Sequence, residues 1–164
     1  ARLKEHSFPV GINAIVFLLH KPVGLGSQAQ VLKSNDPRVR EFLDLACGGD
    51  HGYKIGFDAC SVPGLISQSI DVNRDSVDTC EGARWSAYIT PDMVMLPCSF
   101  DNQGRRWAVD LRSHSIQEAW DSPIFEDFRN HFRQSCPGCE HRLACMGGCP
   151  ICREVVLCPE HAPE

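Results

Sequence analysis

Four cysteines near the C-terminus, spaced Cys136-x2-Cys139-x5-Cys145-x3-Cys149, are the residues in this chain best suited to chemistry. A C-x2-C turn lets two thiolates face one metal centre while nearby cysteines complete its shell. Gly138, Gly147 and Gly148 suit such a turn, since residues without a β-carbon accept left-handed backbone and let amides approach the metal-bound sulfurs. The same four cysteines could equally build a tetrahedral zinc site. Of the 10 cysteines in the chain, Cys152 and Cys158 also lie in this tail, whereas Cys47, Cys60, Cys80 and Cys98 are widely spread. In a reducing compartment so many thiols read as metal or cluster ligands rather than disulfides.

Composition narrows the partners. A net charge of −5, with no Lys/Arg run longer than Arg105-Arg106, gives no electrostatic footprint for nucleic acid. The longest apolar stretch, Ile12 to Leu19, is interrupted by Asn13 and too short to span a bilayer, and the opening residues carry no signal-peptide pattern. The expectation is a cytoplasmic protein, and 164 residues allow one ordinary core with a small second module.

The elements that must position the cysteines are partly legible. Gly11 to Lys21 reads as a buried strand of a parallel sheet, ending in the loop Lys21-Pro22-Val23-Gly24-Leu25-Gly26. Asp36-Pro37 starts a helix whose Val39, Phe42, Leu43 and Ala46 share a face, stopped by Gly48-Gly49. Tyr53 to Cys60 supplies a second strand, completing a β-α-β unit. After Asn73 the period changes. Trp85, Ala87 and Ile89 alternate with polar residues, Pro91-Asp92-Met93 turns the chain, Val94 to Phe100 returns, and a third strand runs through Trp107, Val109 and Leu111. Ser115 and Glu118 form a capping box, and Ser122-Pro123 begins a helix carrying Phe125, Phe128 and Phe132 on one face.

Cys80, Met93-x4-Cys98, the Cys136 to Cys149 run and a last Cys158 together resemble the seven-cysteine pattern of the SPASM domain. "TPDMVMLPCSF", "SIQEAWDSPIFEDFR" and "CPGCEHRLACMGGCP" carry the likeness, which covers about residues 80–160. Residues 11–60 are more loosely similar to the later β/α units of a radical S-adenosylmethionine (radical-SAM) partial barrel. The resemblance implies an α+β chain: residues 1–75 as the end of a partial β/α barrel, and residues 76–164 as a β-hairpin and helix domain whose cysteine-rich tail is held by clusters. It further implies two auxiliary 4Fe-4S clusters, the first on Cys80, Cys98 and Cys149, the second on Cys136, Cys139, Cys145 and Cys158. S-adenosylmethionine, a third 4Fe-4S cluster, and a peptide or protein substrate would belong to the complete enzyme.

Three departures from the pattern stand out. Met93 occupies a turn position where glycine is usual, and a side chain there makes positive φ costlier. The further cysteine that some members place after the first is Ser86 here, so the first cluster either keeps an open iron or recruits Cys60, which could equally be a buried small hydrophobe. Cys152 competes with Cys158 as the closing ligand of the second cluster, and Cys158 is preferred. Cys145-x3-Cys149-x2-Cys152 has the C-x3-C-x2-C spacing of a catalytic radical-SAM cluster, but such a motif belongs in a loop after the first strand of a barrel. The catalytic half is therefore expected elsewhere, in a missing N-terminal part or a separate chain. Cys47 reads as packing, His141 as a loop residue, Lys21 as turn chemistry, and Asp92 and Asp110 lack a partner at catalytic spacing.

Overall fold

The computed structural model describes residues 2–68, 72–73, 77–134 and 136–159, with side chains left out for 132–134. It opens with the β-α-β unit. Strands β1 (Ala14–Phe17) and β2 (Lys54–Phe57) pair in parallel, Ala14 opposite Lys54 and Phe17 opposite Phe57. Helix α1 (Pro37–Gly48) connects them. Its N-terminus is fixed by Asp36, whose carboxylate accepts the Arg38 amide at 2.9 Å, and by Pro37, whose missing N–H costs nothing at the first helical position. Val39, Leu43 and Ala46 are buried, and Phe42 packs edge-on against Phe17 with centroids 4.8 Å apart.

The strands are shorter than the apolar runs that announced them, and β1 is not buried on both sides. Val16 and Leu18 are 60% and 75% exposed. The cause is architectural, because a single helix over two strands covers one face of the ladder and leaves the other to solvent. Helix α2 (Val62–Gln68) follows β2 through a 3-10 turn at Ala59–Ser61 and is buried along most of its length.

A second, antiparallel sheet has the order β3 (Tyr88–Ile89), β4 (Val94–Leu96), β5 (Val109–Asp110). The β3–β4 connection is closed by Thr90, which donates its amide to the Val94 carbonyl at 2.9 Å and accepts the Val94 amide on Oγ1 at 3.0 Å. Met93 adopts φ 62°, so the left-handed turn residue persists although a side chain stands where glycine would be cheaper. Trp85 and Ile89 do not face a core as their alternation suggested. Trp85 is 79% exposed because it lies outside β3, in the turn between the bridged Gly82 and Ser86, and Ile89 is 43% exposed on a two-residue edge strand.

Beneath this sheet lie α3 (Ile116–Trp120), opened by the Ser115/Glu118 capping box, and α4 (Pro123–Gln134). Phe125 and Phe128 are fully buried with Met95, Trp107 and Val109, while the Phe132 side chain lies outside the described residues. The Trp107 indole donates to Asp127 at 2.8 Å, and the buried Asp101 accepts the amides of Arg106 and Trp107 at 3.2 and 3.0 Å. The tail, with α5 (Arg142–Cys145), then crosses back. Cys152, Val155 and Leu157 enter the core formed by Leu19, Val39, Leu43 and Leu65, so the last apolar residues serve the β-α-β unit rather than the hairpin.

Candidate metal centres

Two groups of cysteines assemble in separate places. The first draws on four segments. Cys60 sits in the 3-10 turn after β2, Cys80 opens a loop in which the Glu81 carbonyl accepts the amides of Arg84, Trp85 and Ser86, Cys98 follows β4, and Cys149 follows α5. Their sulfurs lie close enough for charge on one to bear on another: Cys60 with Cys80 and Cys149, Cys80 with Cys98 and Cys149, Cys98 with Cys149. Cys80 and Cys98 border a hollow of about 460 Å³ together with Ala59, Gly82 and Tyr88. Gly82 fits closely here, since a β-carbon would stand 3.0 Å from the Pro97 carbonyl oxygen, tight enough to require the backbone to give.

The second group is Cys136, Cys139, Cys145 and Cys158, which line one cavity of about 380 Å³ against Pro63, Ile66 and Ser67 of α2. Cys139 and Cys158 both bear on Cys145. Met146 caps α5 with φ 60°, and Gly147 and Gly148 continue in left-handed backbone. At Gly148, φ is 82° and an added β-carbon would lie 2.8 Å from both methyls of Val156, so the link between Cys145 and Cys149 admits no side chain there. Cys152 stands apart from this cavity, 3% exposed in the core.

Backbone amides are aimed at the sulfurs. Cys80 accepts from Gly82, Cys98 from Phe100, Cys145 from Gly147 and Gly148, and Cys149 from Ile151 and Cys152, the last at 3.3 Å. An amide two residues beyond each cysteine is the kind of donor that offsets negative charge on a metal-bound thiolate. Against this, burial holds the protonated form. It pushes the Cys60 thiol up to about 12 against the opposing charge of Lys21, Cys80 up to about 11, and raises Cys98 and Cys145. Cys149 is lowered because the Cys152 thiol donates to it, and Cys152 is raised by that same bond. Among the described residues, no three His, Cys, Asp or Glu side chains converge tightly enough for a single ion.

Two cations at the first centre carried no signal for this place in the sequence. Lys21 reaches Cys60 from the loop after β1, and Arg84 lies beside Cys80, donating to its carbonyl at 3.3 Å. His141 lines the second cavity with Nε2 3.3 Å from Glu140. Asp92 and Asp110 lie away from both centres, in exposed pairs with Arg105 and Arg112 at 2.7 Å. Cys47 packs at the edge of the core beneath β1 and β2.

Thiol donors grouped around hollows, with amides directed at sulfur, suit metal-bound thiolates. The family model for SPASM, an iron-sulfur cluster-binding domain, matches residues 80–145. This segment is a SPASM domain, and iron–sulfur cluster binding follows from it. No curated protein and no solved structure matches the chain.

Proposed function

We propose that the chain is the auxiliary-cluster part of a radical-SAM enzyme, a maturase that modifies a peptide or protein, and that it serves in electron transfer and substrate docking. The observation that carries this reading is the sorting of eight cysteines into two separate groups, one around the Cys80 and Cys98 hollow and one around the Cys136 to Cys158 cavity. Cys60, Cys80, Cys98 and Cys149 would hold the first 4Fe-4S cluster, and Cys136, Cys139, Cys145 and Cys158 the second. Bound there, the clusters supply one-electron chemistry at potentials tuned by hydrogen bonds and burial.

The chain's own residues do the rest. The amides of Gly82, Phe100, Gly147 and Ile151 stabilise the thiolates, and burial of the cysteines limits access of water to them. Tyr88 borders the first hollow, and the exposed Trp85 and Ile89 lie nearby in the chain, an apolar approach suited to a peptide. Hydrogen abstraction itself falls to a radical-SAM half, with its own cluster and S-adenosylmethionine, on the same or another polypeptide.

The test is anaerobic reconstitution of the full chain with iron and sulfide. About eight irons per chain with matching labile sulfide, a brown colour and two electron paramagnetic resonance signals are expected for two such clusters. A colourless chain that takes up zinc and no sulfide would overturn the reading in favour of a zinc-stabilised interaction module.

A further inference from the structure

The Lys21 side chain is only 8% exposed, although it lies in a loop. Its ammonium is 2.5 Å from Asp58, donates to the Leu19 carbonyl at 3.1 Å and sits 5.0 Å from the centre of the Phe100 ring. Asp58 and Phe100 each stand two residues from a first-centre cysteine, Cys60 and Cys98. Asp58 is itself fixed by the Ser61 hydroxyl, which donates to it at 2.6 Å. The ammonium is thus clamped from three sides at the wall of the first centre.

The Lys21 charge bears on Cys60, Cys98 and Cys149, and at Cys60 it outweighs the charge of Asp58. The carboxylate of Asp58 at 2.5 Å and the Leu19 carbonyl at 3.1 Å hold the ammonium in its charged form. An ammonium that outweighs its carboxylate partner at Cys60 leaves a net positive field at that sulfur, and burial of the Lys21 side chain keeps water from screening it.

We propose that Lys21, backed by Asp58, is a positioning charge that raises the reduction potential of the first cluster and so makes that centre, rather than the second, the electron acceptor. Taking up one electron adds one negative charge to the cluster and breaks no bond. A nearby ammonium stabilises the reduced form more than the oxidised one. The second centre has no such cation among the residues lining its cavity except Arg142, which is exposed. The inference rests on the two-cluster reading above.

The experiment is a potentiometric titration of the reconstituted full chain with dithionite, followed by electron paramagnetic resonance, with Cys139→Ala assigning the second signal by its loss. Lys21→Met should keep the iron and lower the equilibrium constant for reducing the first cluster about tenfold, a shift of about 59 mV downward. Lys21→Arg should hold the native value, and Asp58→Asn should shift it upward, a reversal of sign that a merely structural role would not give. If Lys21→Met loses first-centre iron through the unpaired carboxylate, the Lys21→Met/Asp58→Asn double variant removes both charges and should still shift downward. A chain without sulfide sinks the two-cluster reading. A two-cluster chain whose Lys21 and Asp58 variants all titrate at the native potential overturns this inference alone.

Discussion

The guanidinium of Arg129 donates to the carbonyl oxygen of Ala83 at 2.6 Å, joining the middle of α4 to the loop that begins at Cys80. A second nitrogen donates to the Trp120 carbonyl at 2.7 Å, and the plane lies over the Trp120 ring. Ala83 is fully buried with φ 53°, a conformation the loop keeps only if something holds it.

Replacing Arg129 by Met removes both charged hydrogen bonds and leaves two carbonyls short of a donor. The expected cost is about 1.5–3 kcal/mol, read as a lower thermal midpoint. Iron counts should fall at the first centre, which includes Cys80, and hold at the second. Equal loss at both centres would show that Arg129 supports the whole chain rather than this loop.

Cys158→Ala should remove about four irons and the second resonance signal, while Cys152→Ala should keep both clusters. Cys158 lines the cavity with Cys136, Cys139 and Cys145, whereas Cys152 is packed among Val155 and Leu157. Iron analysis on the two variants separates them, and loss of a cluster from Cys152→Ala alone would reverse the assignment.

Met93→Gly should stabilise the hairpin. Left-handed backbone costs a side-chain-bearing residue about 1–2 kcal/mol, glycine loses roughly 0.5–1 kcal/mol in unfolded-state entropy, and a net gain of about 0.5–1 kcal/mol remains. Met93 is half exposed, so little burial is forfeited. An unchanged or lower thermal midpoint would show that the Met side chain supports the turn in some other way.

Asp101 gives a pH dependence whose sign is fixed. Burial raises its pKa, partly offset by the Trp107 and Arg106 amides. The folded chain therefore binds a proton more tightly than the unfolded one, and this contribution to stability is lost as pH rises from the unfolded carboxylate value of about 3.9 through the folded one. Asp101→Asn should cost about 1–3 kcal/mol at low pH, because an amide accepts one of the two backbone donors and turns an N–H towards the other. The margin of the native chain over the variant should narrow towards neutral pH. Denaturant unfolding across that range checks this, and a widening margin would contradict it.

Local signals were the readable ones. The Asp36-Pro37 start of α1, the Ser115/Glu118 box and the Thr90 to Met93 turn each depend on residues within four positions, so sequence spacing suffices to find them. The exposure of Trp85 was not readable, because alternation suggested a strand where the chain makes a turn closed by the Gly82 and Ser86 bridge. Lys21 was not readable either. Its neighbours Asp58, Phe100 and Cys149 are remote in the chain, and only the folding of the tail back onto the β-α-β unit brings them together. Cys136, Cys139 and Cys145, close in the sequence, line one cavity, as the short loops between them allow.

Helix α2 begins two residues beyond Cys60 and presents Pro63, Ile66 and Ser67 to the second cavity. Its Gly64 lies so close to Leu157 that a β-carbon would come within 2.8 Å of it, and Gln68 donates to the Leu157 carbonyl, just before Cys158. Seven residues of helix, about 10 Å long, thus act as a spacer bar between the two centres. On the proposed two-cluster reading, the interval across which an electron would hop is set by this rod, by its seat on Leu157 and by the short Cys145 to Cys149 link, whose Gly148 admits no side chain.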